Sequence, residues 1–166
     1  IDGPNLRRLL SSEPGGLDFS EIYHLSLQIA RGLAFAHMPG PQAKRNAVVH
    51  RDLKPDNVMI TNSHVAKLTD FGLAKALDDS ILTAPYSAMG SLPYMPPEQF
   101  EDARSAGVRS DIYSFGVMIY EMVAGTRPFT GGSSPELMHK IFNCIPSPIS
   151  DFRGDVPDAL RTLIEA

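Results

Sequence analysis

The sequence contains no tryptophan, a single cysteine and no excess of basic residues. The one cysteine, Cys144, excludes a disulfide framework within the chain and favours a reducing compartment, which we expect to be the cytoplasm. We expect Cys144 itself to be a small buried side chain on a helix. With 15 lysines and arginines against 19 aspartates and glutamates, the net charge is −4. This balance offers no basic field to attract nucleic acid, so no nucleic-acid partner is predicted.

Long hydrophobic runs are also missing. The most apolar stretch, residues 112–124, is too short and too interrupted to span a bilayer. The chain begins without a methionine and ends inside a helical pattern, so we expect it to be cut at both ends, and membrane association of the intact protein stays open. The length of 166 residues and the hydrophobic content of 43% favour one globular domain with a substantial core.

The stretch 50–57 reads HRDLKPDN and concentrates reactive side chains within eight residues. It places a carboxylate (Asp52), an ammonium group (Lys54) and a carboxamide (Asn57) in one short segment, and a second carboxylate follows at Asp70. Phosphoryl transfer needs an acceptor for the proton of the substrate hydroxyl, a positive charge near the transferred group and oxygen ligands for magnesium. The pattern therefore favours a phosphoryl-transfer site.

Helical periodicity dominates the rest of the sequence. Helices are predicted to begin at Asn5, at Asp18 or Ser20, at Ser110-Asp111, at Ser134 and at Val156-Pro157. The helix that ends at Ala124 is apolar nearly all round, Ile112 included, which indicates burial. The basic stretch 39–46 is interpreted as an insertion whose role the sequence does not disclose.

Short strands are predicted at 48–49, 58–60 and 65–69. Asn57 and Asp70 would then lie at neighbouring ends of one hairpin. A strand pair holds both side chains on a rigid element, as a magnesium site with near-octahedral geometry requires. The predicted fold class is therefore mainly α with short β-hairpins.

Three motifs carry a family resemblance: HRDLKPDN at 50–57, Asp-Phe-Gly at 70–72 and Pro-Pro-Glu at 96–98. With them the chain resembles the C-terminal lobe of a protein serine/threonine kinase of the eukaryotic-type (Hanks-type) family that bacteria also carry. The resemblance implies that residues 1–166 are a partial kinase domain, truncated at both ends. They would run from the end of the inter-lobe hinge through most of the C-terminal lobe, without the N-terminal lobe and the final helices.

The resemblance also implies roles for residues of these motifs. Asp52 would be the catalytic base for the substrate hydroxyl, and Lys54 would neutralise charge on the transferred phosphoryl group, with Asn57 completing the catalytic set. Asn57 and Asp70 would be the magnesium ligands. The residues implied to contact ATP are Ile1, Asn5, Lys54, Asn57, Met59 and Asp70, with Thr69 at the rear of the pocket. For the first two, a surface turn and a plain helix cap are equally good interpretations.

Residues 70–98 resemble a kinase activation segment. Arg51 and Lys75 would pair with a phosphate group carried by this segment. Ser87 is the first candidate for the phosphorylated residue and Thr83 the second. An ordinary polar loop explains either hydroxyl equally well.

Further positions match the family with structural or regulatory roles. Ser91 stands where the family usually has threonine, and its hydroxyl would bridge Asp52 and Lys54. Structural roles are implied for His50, Phe71, Gly72, Glu98 and Asp111. Of these, Asp111 would hold the backbone of the catalytic stretch, and Glu98 would be buried without the arginine that pairs with it in the family.

The predicted function is ATP- and Mg²⁺-dependent transfer of the γ-phosphate to serine or threonine hydroxyls of a protein substrate. The chain alone is expected to be inactive, because the N-terminal lobe that clamps the nucleotide is missing. A non-catalytic, kinase-like docking module is the alternative that truncation leaves open. A small-molecule kinase of related fold is disfavoured by Lys54 and by the segment 70–98, which a small substrate does not need.

Overall fold

The structure is a computed structural model that describes residues 2–38, 47–71 and 90–165. In these ranges the chain forms six α-helices and one two-stranded antiparallel sheet. The helices are α1 (Leu6–Ser12), α2 (Phe19–His37), α3 (Pro97–Glu101), α4 (Val108–Ala124), α5 (Ser134–Asn143) and α6 (Asp158–Glu165), and the strands are β1 (Val58–Ile60) and β2 (Ala66–Leu68). The predicted class, mainly α with a short hairpin, is confirmed. No helix in the described ranges is both long and apolar enough to cross a membrane.

The first two helices start at the side chains predicted to cap them. Asn5 accepts a hydrogen bond from the Arg8 amide at 3.0 Å, and Asp18 accepts one from the Ser20 amide at 2.8 Å. Such caps satisfy amides that have no partner inside the helix. The buried residues of α2 follow the predicted stripe: Ile22, Leu25, Ile29, Leu33 and Ala36.

Helix α4 lies at the centre of the fold and packs against both α2 and α6. It begins before the predicted start, because the Ser110 hydroxyl accepts a hydrogen bond from the Gly107 amide at 3.0 Å and so caps an earlier turn. The expectation of burial nearly all round is wrong at Ile112, which is 57% exposed. The apolar pattern of α4 does not show that its first turns keep one face in solvent.

The C-terminal end of α4 is closed by the loop that precedes α2. Gly125 ends the helix in the left-handed conformation, with φ 70°. A β-carbon there would lie 2.1 Å from the carbonyl oxygen of Pro14, so only glycine lets the loop pass this close. The Leu17 amide then donates to the Met122 carbonyl at 2.8 Å. These contacts fix the beginning of α2 to the end of α4.

The hairpin has β1 and β2 in antiparallel register, with Val58 opposite Leu68. The predicted strand at 48–49 is wrong. The Val48 amide donates to the carbonyl of Ala36 at 2.8 Å, so this segment completes the end of α2 instead of joining a sheet.

Two hydrophobic clusters hold the described elements together. The main core joins α1, α2, β1 and α4. A second cluster, which we call the small core, joins the loop before α3 to α5 and consists of Leu92, Met95, Phe129, Leu137 and Ile141. Cys144 belongs to neither cluster. It was expected to be buried on a helix, but α5 ends one residue earlier and the thiol is exposed.

Candidate active site

Asp111, in the first turn of α4, is the buried anchor of the stretch 50–57. Its Oδ2 accepts a hydrogen bond from the His50 amide at 2.8 Å, and its Oδ1 accepts one from the Arg51 amide at 2.8 Å. His37, the last residue of α2, places its Nε2 2.7 Å from the same Oδ2. Because Asp111 is only 1% exposed, its carboxylate needs such donors. Two of these contacts hold the backbone of the stretch 50–57 on α4, and the third ties the end of α2 to the same carboxylate.

Two residues at the site have a left-handed backbone. Arg51 has φ 67° and Asp70 has φ 57°. This region costs a non-glycine residue about 1–3 kcal/mol and persists only where the surroundings enforce it. At Arg51 the amide is held by Asp111, and the carbonyl accepts a hydrogen bond from Gln99 Nε2 at 3.3 Å. Strain of this kind concentrates at functional sites.

Lys54 joins the carboxylate of Asp52 to the hydroxyl of Ser91. Its ammonium donates to Asp52 Oδ2 at 2.9 Å and to Ser91 Oγ at 2.7 Å. Ser91 is buried, whereas the side chains of Lys54 and Asp52 keep 18% and 24% of their exposure. Charge-assisted hydrogen bonds hold a carboxylate in one orientation. The structure thus brings together a carboxylate, a cation and a hydroxyl, although 37 positions separate Lys54 from Ser91 in the sequence.

The carboxamide of Asn57 is also oriented by Asp52. Its Nδ2 donates to the main-chain carbonyl of Asp52 at 2.8 Å. With the nitrogen fixed in this way, Oδ1 lies on the other side of the carboxamide, and none of the described residues donates to it. The oxygen is therefore the atom available to a metal ion.

The hairpin brings Asp70 to the same end of the sheet as Asn57. The amide and the hydroxyl of Thr69 donate to the Asn57 carbonyl at 2.9 and 3.2 Å. The Thr69 hydroxyl also donates to Asp70 Oδ2 at 3.4 Å, and the Asp70 side chain is exposed. Two oxygen-bearing side chains therefore lie at the open end of one rigid hairpin.

His50 packs against the segment that follows β2 at this end of the hairpin. Its ring lies against Phe71, with centroids 4.5 Å apart, and its Nε2 lies 2.9 Å from the Thr69 carbonyl. Burial lowers the pKa of His50 from its usual 6.5, although the negative charges of Asp111 and Asp52 act to raise it. A carbonyl only accepts hydrogen bonds, so Nε2 carries the proton of the neutral ring, and the buried Nδ1 has no partner.

The donor set fits Mg²⁺. The ion prefers hard oxygen ligands, takes few of them from the protein and keeps several waters. Asn57 and Asp70 offer an amide oxygen and a carboxylate. Across the described ranges no three His, Cys, Asp or Glu side chains gather as metal ligands. A cation held here would therefore complete its coordination with other oxygen atoms, such as those of water and phosphate.

Asn5 and Met59, the described residues predicted to contact the nucleotide near its ribose and base, lie side by side. They form an isolated antiparallel bridge, and the Ile60 amide donates to the Pro4 carbonyl at 2.8 Å. The segment before α1 therefore runs along β1. The contacts of both residues with ATP stay predictions.

Several predicted site residues lie outside the described residues. They are Ile1, Gly72, Lys75, Thr83 and Ser87, and the stretch 39–46 lies outside as well. Of the pair expected to bind a phosphate, the structure describes only Arg51. The phosphorylation hypothesis stays a prediction.

Glu98 differs from the expectation of a buried charge without a partner. It is only partly buried, and its Oε1 accepts a hydrogen bond from the Ser110 hydroxyl at 2.8 Å. Within the described ranges no lysine or arginine pairs with it. The Tyr113 hydroxyl nearby is buried without a partner, and burial, with the charge of Glu98, raises the pKa of Tyr113 to about 12. The Ser110 hydroxyl and partial exposure to solvent thus stabilise the Glu98 carboxylate, which pairs with no cation among the described residues.

Sequence reasoning missed a contact between Arg7 and Glu121. The Arg7 Nη1 donates to Glu121 Oε1 at 2.8 Å, although the two residues are 114 positions apart. One signal was present, because a glutamate in the apolar C-terminal half of α4 has to be paired if it is buried. Nothing in the sequence identifies Arg7 as its partner.

Comparison with known proteins gives consistent matches. A family model described as the protein kinase domain matches residues 1–164. A probable serine/threonine-protein kinase of Clostridium acetobutylicum is 36% identical over 164 residues, which is 99% of this chain and 24% of the relative. The probable serine/threonine-protein kinase PknB of Lactococcus lactis is 35% identical over 99% of this chain and 25% of its own length. The serine/threonine-protein kinase PkaA of Streptomyces coelicolor is 39% identical over 99% of this chain and 28% of its own length.

The chain spans about a quarter of the length of these curated relatives. Its similarity to them covers the stretch 50–57, the hairpin and α4, which together build the site described above. The family match extends over all of these elements. The chain therefore belongs to the protein kinase domain family.

Proposed function

We propose that the intact protein is a serine/threonine kinase and that this chain supplies the C-terminal lobe of its catalytic domain. One observation carries the proposal: Lys54 bonds both the carboxylate of Asp52 and the hydroxyl of Ser91. This arrangement aligns an acid–base group and a cation at one point, as phosphoryl transfer to a hydroxyl requires. The names of the relatives, all serine/threonine-protein kinases, support it.

Each side chain of the site then has a chemical role. When bound, ATP and Mg²⁺ supply the phosphoryl group and the divalent charge that offsets its negative oxygens. Asn57 and Asp70 would hold the cation. Asp52 would orient the substrate hydroxyl and accept its proton while the new O–P bond forms and the bond to ADP breaks. Lys54 would offset negative charge on the transferred group.

The substrate class is proposed from two features of the sequence. Lysine at position 54 within Asp-Leu-Lys-Pro-Asp-Asn resembles the serine/threonine kinases rather than the tyrosine kinases. The long segment 70–98 suits a polypeptide substrate, which has to be seated along a surface, better than a small molecule. We therefore propose serine and threonine hydroxyls of proteins as the acceptors.

Residues 1–166 are proposed to be inactive on their own. Their sequence contains no glycine-rich phosphate loop and no lysine-bearing strand ahead of the hinge-like segment 2–5. Without these parts the phosphates of ATP would meet the magnesium ligands but no clamp. Transfer would then need the rest of the catalytic domain.

The test measures phosphate transfer from Mg·ATP to a generic serine/threonine substrate. It compares the full-length protein from its own gene with residues 1–166, each as wild type, Asp52→Asn and Asp151→Asn. Asp151 is exposed and supplies a control with the same chemical change away from the site. We expect the full-length protein and its Asp151→Asn variant to be active, and Asp52→Asn to lose about 10²-fold or more.

Residues 1–166 are expected to show no transfer in any form. If a correctly folded full-length protein also transfers no phosphate, the kinase proposal is wrong. A non-catalytic docking module would then be the better interpretation of the fold.

A further inference from the structure

Arg7, in the first turn of α1, contacts three separate segments of the chain. Its Nη1 donates to Glu121 Oε1 at 2.8 Å, and its Nη2 donates to the Tyr94 hydroxyl. Its Nε donates to Asp56 Oδ2 at 3.5 Å. The Tyr94 hydroxyl in turn donates to Glu121 Oε2. Arg7, Tyr94 and Glu121 therefore form a closed triangle of hydrogen bonds, which we call the Arg7 triad.

Two members of the Arg7 triad are buried. Tyr94 is 2% exposed and Glu121 is 6% exposed. A buried carboxylate is stable only when it is paired, and here the guanidinium and the phenol satisfy both of its oxygens. Burial is the largest single effect on Arg7 and opposes its charge, but the hydrogen bonds and charges of Glu121 and Tyr94 together outweigh it and raise the pKa of Arg7. Burial, with the charge of Glu121, raises the pKa of Tyr94, so the phenol remains a donor.

Tyr94 belongs to the loop that contacts the catalytic pair. The turn Leu92–Tyr94 follows Ser91 directly, and the Tyr94 amide donates to the Ser91 carbonyl at 3.0 Å. Ser91 is the residue whose hydroxyl bonds Lys54. On the other side, the Ser114 hydroxyl of α4 donates to the Tyr94 carbonyl at 2.7 Å. The position of Tyr94 therefore helps to set the position of Ser91 against Lys54.

Arg7 adds a third point of attachment to this loop. Helix α1 follows the segment that runs along β1. The Arg7 guanidinium therefore connects the loop 91–95 to the part of the site where the nucleotide is proposed to bind, whereas Ser114 connects this loop to α4. Arg7 also contacts Asp56, which belongs to the stretch 50–57 itself. One arginine thus connects the catalytic stretch, the loop 91–95 and the central helix.

We infer that Arg7 is a positioning residue for the polypeptide substrate: through Tyr94 and Glu121 it holds the loop 91–95 in register with Asp52 and Lys54. This inference rests on the proposed function, because it assigns the loop to the surface over which the acceptor hydroxyl reaches Asp52. Arg7 acts through the loop and does not touch the reacting atoms. Its loss should therefore impair use of the peptide more than use of Mg·ATP.

A purely structural role is the competing explanation. Removal of Arg7 alone leaves Glu121 buried without its cation, which destabilises any fold. Removal of both charges in Arg7→Met/Glu121→Met relieves that penalty, because two apolar side chains of similar length replace the ion pair. The double variant still leaves the Tyr94 hydroxyl without either partner. Stability and positioning are thereby separated in one variant.

The experiment uses the full-length protein as wild type and as four variants: Arg7→Met, Arg8→Met, Tyr94→Phe and Arg7→Met/Glu121→Met. Arg8 is the matched control, since it is exposed and is the next residue of the same helix. Three quantities are measured: the thermal midpoint, the KM values for a peptide and for Mg·ATP, and hydrogen exchange of the amides in residues 91–95.

We expect Arg7→Met and Tyr94→Phe to raise the peptide KM about tenfold, the effect of losing one hydrogen bond to a charged network, with the KM for Mg·ATP unchanged. Both should accelerate exchange of the Tyr94 and Met95 amides, and Arg8→Met should change neither quantity. The double variant should regain the part of the thermal midpoint that the unpaired Glu121 carboxylate removes, stay below wild type because the buried Tyr94 hydroxyl has lost both partners, and keep the raised peptide KM.

The inference is overturned if the double variant recovers the peptide KM together with the thermal midpoint, or if Arg7→Met lowers the midpoint alone. If the wild-type protein transfers no phosphate, the proposed function fails, and hydrogen exchange still decides the positioning role. Equal exchange of the loop amides in Arg7→Met and Arg8→Met would then refute it.

Discussion

The contact between Asp111 and the catalytic stretch leads to a prediction about the substitution Asp111→Asn. Asparagine has nearly the shape of aspartate, so packing around position 111 is preserved. It has one acceptor oxygen where the carboxylate has two, and the wild-type oxygens accept the amides of His50 and Arg51. One of these buried amides would therefore face the NH₂ group of the new side chain.

The expected loss follows from these bonds. A buried N–H left without an acceptor costs about 1–3 kcal/mol, and a neutral acceptor in place of a charged one weakens the remaining bond by about 1 kcal/mol. The contact with His37 loses the negative charge of its partner as well. We expect the free energy of unfolding to fall by about 3–5 kcal/mol, as when one partner of a buried charged network is removed. For a chain of this size the thermal midpoint would fall by roughly 6–20 °C.

The assay is urea and thermal unfolding followed by far-ultraviolet circular dichroism, because the chain has no tryptophan to report by fluorescence. Asp151→Asn, at an exposed position, should change stability by less than about 0.5 kcal/mol. In the full-length protein, kcat should fall as well, because Arg51 needs its amide held to keep φ at 67°. The reasoning is refuted if Asp111→Asn unfolds at the same urea concentration as Asp151→Asn.

Three further predictions concern the site and its frame. Ser91→Ala removes an acceptor of Lys54 and should lower kcat about tenfold, whereas Ser91→Thr keeps the hydroxyl and should stay near wild type in the same phosphate-transfer assay. Gly125→Ala forces a β-carbon toward Pro14 at φ 70° and should lower the free energy of unfolding, measured in urea, by at least about 1–3 kcal/mol. The control Gly154→Ala, whose β-carbon would meet nothing within 4 Å, should have little effect on it. Burial lowers the pKa of His50, so on acidification the imidazole is protonated in the unfolded chain before it is protonated in the folded chain. The free energy of unfolding should therefore fall as the pH drops below about 6.5. His50→Phe should lack this part of the pH dependence, and identical pH profiles of stability in the two proteins would contradict the prediction.

Local patterns were enough to predict the hairpin and five of the six described helices, whereas the short helix α3 was not predicted. The spacing of apolar residues identified α2, and the caps Asn5 and Asp18 located two helix starts. These signals act within a few residues of one another, so they can be seen in the sequence. The hairpin followed from two short apolar strands around a polar turn.

The errors arose where tertiary contacts decide. Val48 and Val49 have the composition of a strand, but none of the described strands pairs with them, and the amide of Val48 bonds the end of α2 instead. Ile112 lies on a helix whose sequence is apolar nearly all round, and only the packing of α4 shows which turns remain in solvent. Cys144 follows the end of α5, and helix ends are the least certain part of a periodicity argument.

The candidate site was predictable as a list of residues and only partly as a geometry. The spacing of Asn57 and Asp70 around the hairpin placed them together. The contact of Lys54 with Ser91 came from the family resemblance, because 37 positions separate the two residues. The Arg7 triad had no counterpart in the prediction, since a buried glutamate indicates that a partner exists and does not say which residue it is.

The small core has a consequence for how catalysis could be controlled from a distance. It packs the residue next to Ser91 against α5 and is separate from the main core around α4. Regions held by few apolar side chains open more readily than the rest of a domain, and they do so as units. A local opening of α5 would therefore release Leu92, the neighbour of Ser91, while Tyr94 kept its bonds to Arg7 and Ser114 and the catalytic stretch stayed anchored on Asp111. Through Leu92, the stability of α5 would then influence the order of the loop that carries Ser91.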